Sequence, residues 1–101
     1  MKITTDEGVY GWGEGYGPAD IIQQGIVLLE PILIGKNPLE NESLWFEMYR
    51  KTLDLARRSV LFAAISAIDI ALWDIKGKAL NLPVSTLLGG QHRKKVVPYA
   101  T

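Results

Sequence analysis

Ser59-Val60-Leu61-Phe62-Ala63-Ala64-Ile65-Ser66-Ala67-Ile68-Asp69-Ile70-Ala71-Leu72-Trp73-Asp74-Ile75-Lys76-Gly77-Lys78-Ala79-Leu80 is the stretch that decides the architecture. Leu61, Ile65, Ile68, Leu72, Ile75 and Ala79 alternate spacings of three and four, which predicts a long helix with one face turned to a core. Ala63, Ala64, Ala67 and Ala71 keep its flanks slim, so neighbouring backbones can approach closely. Asn81, Leu82 and Pro83 close the helix, and Val84–Leu88 predicts one further turn or two before the break at Gly89-Gly90.

Upstream, two shorter helical patterns precede it. Asp20–Glu30 places Ile22, Ile26 and Leu29 on one side, with Asp20 as the expected N-cap and Pro31 expected to end or kink the helix. After Asn37-Pro38, Glu40–Leu53 places Leu44, Trp45, Met48, Tyr49 and Thr52 to Leu53 on one side as a second amphipathic helix. The chain opens differently. Lys2–Thr5 and Val9–Gly15 read as two strands joined by Asp6-Glu7-Gly8, where Gly8 tolerates a positive φ. The fold class is therefore α+β, a short antiparallel hairpin followed by a three-helix bundle. Two strands alone are marginal in water, so the hairpin needs a covering element. At the other end, Val96–Thr101 reads as the beginning of a strand.

Composition narrows the function. Eleven acidic and eleven basic side chains balance, so no overall field attracts nucleic acid or an anionic membrane. The absence of cysteine excludes disulfides and thiolate metal sites and agrees with a cytoplasmic location. No apolar run approaches the roughly 20 residues of a membrane span. Gly11, Gly13, Gly15 and Gly17 invite a phosphate-loop reading, but a dinucleotide fingerprint would need glycine where Tyr16 or Pro18 stands. Gly35-Lys36 fails as a P-loop because Glu30 and Asn37 occupy its other key positions.

Candidate chemical groups are few. His92 is the sole imidazole and sits in a polar connector, where a solvated histidine is expected. Asp69 and Asp74 stand about 140° apart round the long helix and cannot easily share a metal. Asp74 with Lys78 forms an i,i+4 pair in the favourable order. Asp69, between Ile68 and Ile70, is expected to be partly buried and to find a structural hydrogen bond. Arg57-Arg58 is expected to be a solvated pair, and Trp45, Phe46, Phe62 and Trp73 to serve core or inter-domain packing. No catalytic and no metal-ligating residue is expected within the chain.

The run Ala64–Gly89, with its alanines, Asp69, Asp74, Gly77 and Pro83 at fixed positions, resembles the mandelate racemase/muconate lactonizing enzyme family of the enolase superfamily. Thr4–Glu14 resembles that family's later capping-domain strands, and Val96–Thr101 its first barrel strand. The resemblance implies an enolase N-terminal-domain-like fold, with residues 1–92 a capping domain incomplete at its N-terminus and 93–101 a linker and the start of the barrel. It implies a parent enzyme, an acid-sugar dehydratase or a racemase, that abstracts a proton α to a carboxylate with the help of Mg²⁺ held elsewhere. This chain alone would be inactive, with the barrel domain as its partner and a small carboxylate or acid sugar as the parent's substrate.

The resemblance also makes Glu14–Asp20 a substrate lid, with Tyr16, Gly17 and Pro18 its contacting residues. Tyr16 could equally be a surface aromatic packing on the first helix. Unpaired edges and an uncovered helix face predict self-association into a homo-oligomer. A free-standing helical interaction module is the alternative from another class.

Overall fold

In the computed structural model, which describes residues 1–56 and 59–100, the long helix is the axle of the molecule. It spans Val60–Leu80 and buries Ala64, Ile65, Ala67, Ile68, Ala71, Leu72, Ile75 and Gly77. The Ser59 side chain accepts a hydrogen bond from the Leu61 amide, satisfying one of the free donors at the helix start. At the far end Asn81 adopts a left-handed conformation (φ 52°), and the Leu82 amide donates to the Gly77 carbonyl. Leu82 and Val84 thereby turn back over Gly77, where any larger residue would meet the Leu82 carbonyl. Ala79, expected on the inner face, is exposed because the covering elements stop one turn earlier.

In chain order the elements are β1 (Lys2–Thr4), β2 (Tyr10–Trp12), α1 (Ala19–Leu33), α2 (Asn41–Lys51), α3 (Leu53–Ala56), α4 (Val60–Leu80) and α5 (Val84–Leu87). The two strands pair antiparallel, with Lys2 opposite Trp12, Ile3 opposite Gly11 and Thr4 opposite Tyr10. Gly8 makes the turn at φ 83°, as the sequence requires. Both strands are shorter than their sequence spans, since the second leaves its partner beyond Gly13 and continues as a strap on α4.

Helix α1 runs through Pro31 to Leu33 instead of stopping. Pro31 costs the bond to the Val27 carbonyl, but both residues face water, while Leu29 and Ile32 on the inner side are buried and hold the last turn. Asp20 is not the N-cap: Pro18 occupies that position, and Asp20 lies in the first turn, where a negative charge suits the helix dipole. The second predicted helix divides at Thr52. That buried hydroxyl donates to the Met48 carbonyl at 2.8 Å, ending α2 and letting α3 restart.

The core is the seam between α1, α2 and α4, built from Ile22, Leu29, Ile32, Leu44, Met48, Ile65, Ile68, Leu72 and Ile75. The hairpin covers the remaining flank of α4 and so gains the partner that two strands need. Residues 91–100 are exposed and carry no assigned strand. A strand forms only against a hydrogen-bonded neighbour, and none of the described residues supplies one to Val96–Ala100. Arg57, Arg58 and Thr101 lie outside the described residues.

Candidate functional site

The glycines that mimic a phosphate loop are there to let a strand lie directly on a helix. Gly11, Gly13 and Gly15 alternate along the strap and face Ala71, Ala67 and Ala63, which repeat every fourth residue on α4. A methyl group at Gly11 would overlap the Ala71 carbonyl, and one at Gly13 the Ala67 carbonyl. At Gly15 it would stand 2.9 Å from the Ala63 carbonyl. Glycine on one element and alanine on the other thus bring two backbones into contact.

This contact fixes where the following loop begins. Gly15 is the last residue held on α4; Tyr16 is 99% exposed and Gly17 adopts φ 143°. Pro18 (φ −60°, ψ 122°) starts α1 and accepts the Ile21 and Ile22 amides at 3.1 Å. The loop is therefore short and tied at both ends, with one aromatic ring projecting into solvent. Tyr16 does not pack on α1.

Beside the loop lies a groove of about 650 Å³ lined by Glu14, Gly15, Tyr16, Tyr49, Ser59, Phe62, Ala63 and Ser66. Its wall is an aromatic cluster: Tyr49 stacks on Trp45 with centroids 5.2 Å apart, and Phe62 meets both edge-on at 6.4 and 6.5 Å. Stacking against Trp45 stiffens Tyr49 in place. The groove also presents the Glu14 carboxylate and the Tyr16, Tyr49 and Ser66 hydroxyls, none of which hydrogen-bonds to another of the described residues. The groove combines rigid rings with polar oxygens, a lining suited to a polyhydroxylated molecule.

Of the expected site residues, Tyr16 lines this groove, Gly17 lies outside its lining near Ile22 and Val60, and Pro18 anchors the loop's exit. Tyr49, Phe62 and Ser66 were missed. Phe62 and Ser66 share a face of α4 by their i,i+4 spacing, a signal present in the sequence; Tyr49 arrives there only through the packing of α2 on α4.

The carboxylates have other roles. Asp74 accepts from the Trp12 amide and from Lys78 Nζ, both at 2.8 Å, and Lys78 also donates to the Tyr10 carbonyl. The Asp74–Lys78 pair is thus a staple between α4 and β2 as well as an i,i+4 pair. The Lys78 hydrogen bond first, and the Trp12 amide second, hold the Asp74 carboxyl below its ordinary value. Asp69 departs from expectation: it is half-buried but finds no hydrogen-bond donor among the described residues, and burial pushes its carboxyl up. His92 is exposed. Among the described residues no three His, Asp or Glu side chains lie close enough together to hold a metal ion. Among the described residues no helix is long and apolar enough to cross a membrane.

A glycine-strapped hairpin on a long alanine-flanked helix, with two further helices completing the core, defines an α+β domain of the enolase-superfamily capping class. Residues 1–89 match the mandelate racemase / muconate lactonizing enzyme N-terminal domain, and the chain belongs to that family. It is 46% identical over 101 residues to a D-galactonate dehydratase of Verminephrobacter eiseniae, an alignment covering 98% of this chain and 26% of the dehydratase. Its fold superposes with a TM-score of 0.86 on the 3,6-anhydro-D-galactonate cycloisomerase from Zobellia galactanivorans, at 66% identity over 88% of this chain and 25% of that one. A mandelate racemase/muconate lactonizing protein from Paracoccus denitrificans PD1222, solved as a magnesium complex, matches with a TM-score of 0.82 and 38% identity over 91% of this chain and 25% of its own. The chain spans about a quarter of the length of the curated relatives it matches.

Proposed function

We propose that this domain is the substrate lid of an acid-sugar dehydratase or cycloisomerase, acting on a polyhydroxy carboxylate by removal of the proton α to the carboxylate. The observation that carries the reading is the Tyr16 loop: a fully exposed aromatic on a short loop anchored at both ends, beside a groove lined by aromatic rings and polar side chains. Membership in a family whose relatives include a galactonate dehydratase and an anhydrogalactonate cycloisomerase supplies the substrate class.

In this reading the metal and the bases belong to a catalytic domain outside residues 1–101, so the chain alone has no turnover. Residues 1–92 are the capping domain, and 93–101 lead into the barrel. When the loop closes on the sugar chain, the Tyr16 ring covers C–H faces and shuts out water, and Gly17 takes up the backbone rotation that closure needs. Pro18 confines the motion to the loop by fixing the start of α1.

The test is kinetic, on the enzyme that carries this domain, with D-galactonate as substrate and Mg²⁺ present. Tyr16→Ala is expected to lower kcat/KM by roughly 10- to 100-fold, the loss of one well-placed lid contact, while the melting temperature stays unchanged because Tyr16 touches nothing. Unaltered kcat/KM on D-galactonate and on shorter hydroxy acids would refute the lid role.

A further inference from the structure

Phe46 lies outside the core and stands 56% exposed on the outward side of α2. Glu42 and Arg50, four residues to either side of it, are exposed as well. The three are successive positions on one i±4 ridge within about 80° of arc, and Glu42 and Arg50 each stand about 6 Å along the axis from the ring. Beside this ridge is an open groove of about 500 Å³ lined by Ser43, Phe46, Glu47, Arg50 and Lys51. Among the described residues neither Glu42 nor Arg50 forms an ion pair or a side-chain hydrogen bond. The groove beside Tyr16 shares none of these residues.

We propose that this ridge is a homotypic interface, on which a second copy of this chain packs antiparallel about a two-fold axis through Phe46. Turning the copy end for end about that axis sets Glu42 against the partner's Arg50 and Arg50 against the partner's Glu42, while each Phe46 ring enters the other copy's groove. The order of charge along the ridge selects both the occupant and its direction. An isologous contact requires a patch that complements itself, and acid, ring and base in equal steps do so on a single helix. A parallel copy would put carboxylate on carboxylate and guanidinium on guanidinium. A shift of one turn would break both reciprocal ion pairs and the ring contact together. In the antiparallel register the i±4 ridges of the two copies interdigitate at a crossing of about −50°. One helix face offers less than the roughly 800 Å² per partner of a standard interface, so the pairing of the chain by itself is weak and shows at high concentration. The inference does not depend on the lid reading.

Sedimentation equilibrium of the 101-residue chain, loaded up to about 1 mM, tests the pairing. The mean mass is expected to climb toward two chains and no further. Phe46→Ala, Glu42→Arg and Arg50→Glu are each expected to raise the dissociation constant about tenfold or more, and Glu42→Arg combined with Arg50→Glu to bring most of the affinity back. All four variants change exposed positions, so circular dichroism should show the parent's helix content. The combined swap works against the α2 dipole, so recovered pairing cannot come from a sturdier helix. A chain that stays monomeric throughout would overturn the interface, and so would association that Phe46→Ala leaves intact. Pairing that survives either charge reversal, or that the combined swap fails to recover, would overturn the antiparallel register. Growth beyond two chains would overturn the closed two-fold.

Discussion

Replacing Gly13 by alanine adds one methyl group and, by the geometry of the strap, should cost more stability than most single substitutions in the chain. The new Cβ would overlap the Ala67 carbonyl, and the Ala71 amide lies 3.1 Å away, so relief cannot come from rotating a side chain. Either the strand lifts off α4, losing contacts along Gly11–Gly15, or the helix backbone bends. Overpacking of this kind costs about 1–3 kcal/mol where side chains can yield, and the upper end or more is expected where only backbone can. For a domain of this size, ~3 kcal/mol corresponds to a fall in Tm of roughly 12–24 °C. Gly15→Ala, with 2.9 Å of room to the Ala63 carbonyl, should lose less. Gly8→Ala, with open space but φ 83°, should lose only the left-handed backbone cost of about 1–2 kcal/mol. Thermal melts followed by far-ultraviolet circular dichroism would rank the three. Should Gly13→Ala melt within a degree or two of the parent chain, or above Gly8→Ala, backbone-to-backbone packing is not what the glycines are for.

The two helix carboxylates make opposite predictions with pH. Asp69 has its folded pKa raised by burial, so its charge opposes folding above that pKa and the penalty disappears as pH falls below the ordinary carboxylate value. Asp69→Asn in the 101-residue chain should therefore raise Tm at pH 7 and leave it unchanged near pH 3; a loss of Tm at pH 7 would mean that a donor reaches Asp69. Asp74 has its folded pKa lowered, so its contribution is present above the unfolded value and lost as pH falls through the folded one. Asp74→Asn should cost about 1 kcal/mol at pH 7, combining an exposed ion pair with the Trp12 amide bond. The cost should shrink in acid, as read by urea midpoints at pH 7 and pH 2.5, and an equal cost at both would contradict the staple. Ser59→Ala removes the α4 N-cap and should cost about 1 kcal/mol in the same assay; Ser59→Asp should not.

Much of this was legible before any coordinates. The three- and four-residue spacing from Leu61 to Ile75 places the helix and its buried face because a 3.6-residue turn leaves no other way to gather those side chains. Gly8 marks the hairpin turn for an equally local reason. Most of the misread features depend on partners distant in sequence or on burial that those partners create. Pro31 stays inside α1 because Leu29 and Ile32 are anchored by α4 while the Val27 carbonyl can turn to water. Thr52 breaks the second helix because its hydroxyl is buried beside the Met48 carbonyl. The Tyr49 wall of the groove exists only once α2 and α4 have packed.

The amino-acid order by itself determined the hairpin, the long helix and its buried face, the family, and the lack of any histidine pair or thiolate within the chain, since these follow from periodicity, spacing and residue chemistry along a single segment. Tertiary structure alone decided what the glycines do, that Asp74 reaches a strand 62 residues away, and that Asp69 is half-buried with no donor reaching it from the described residues. Each is a question of which backbone or side chain arrives from elsewhere, and a pattern read along one strand or helix carries no record of its neighbour.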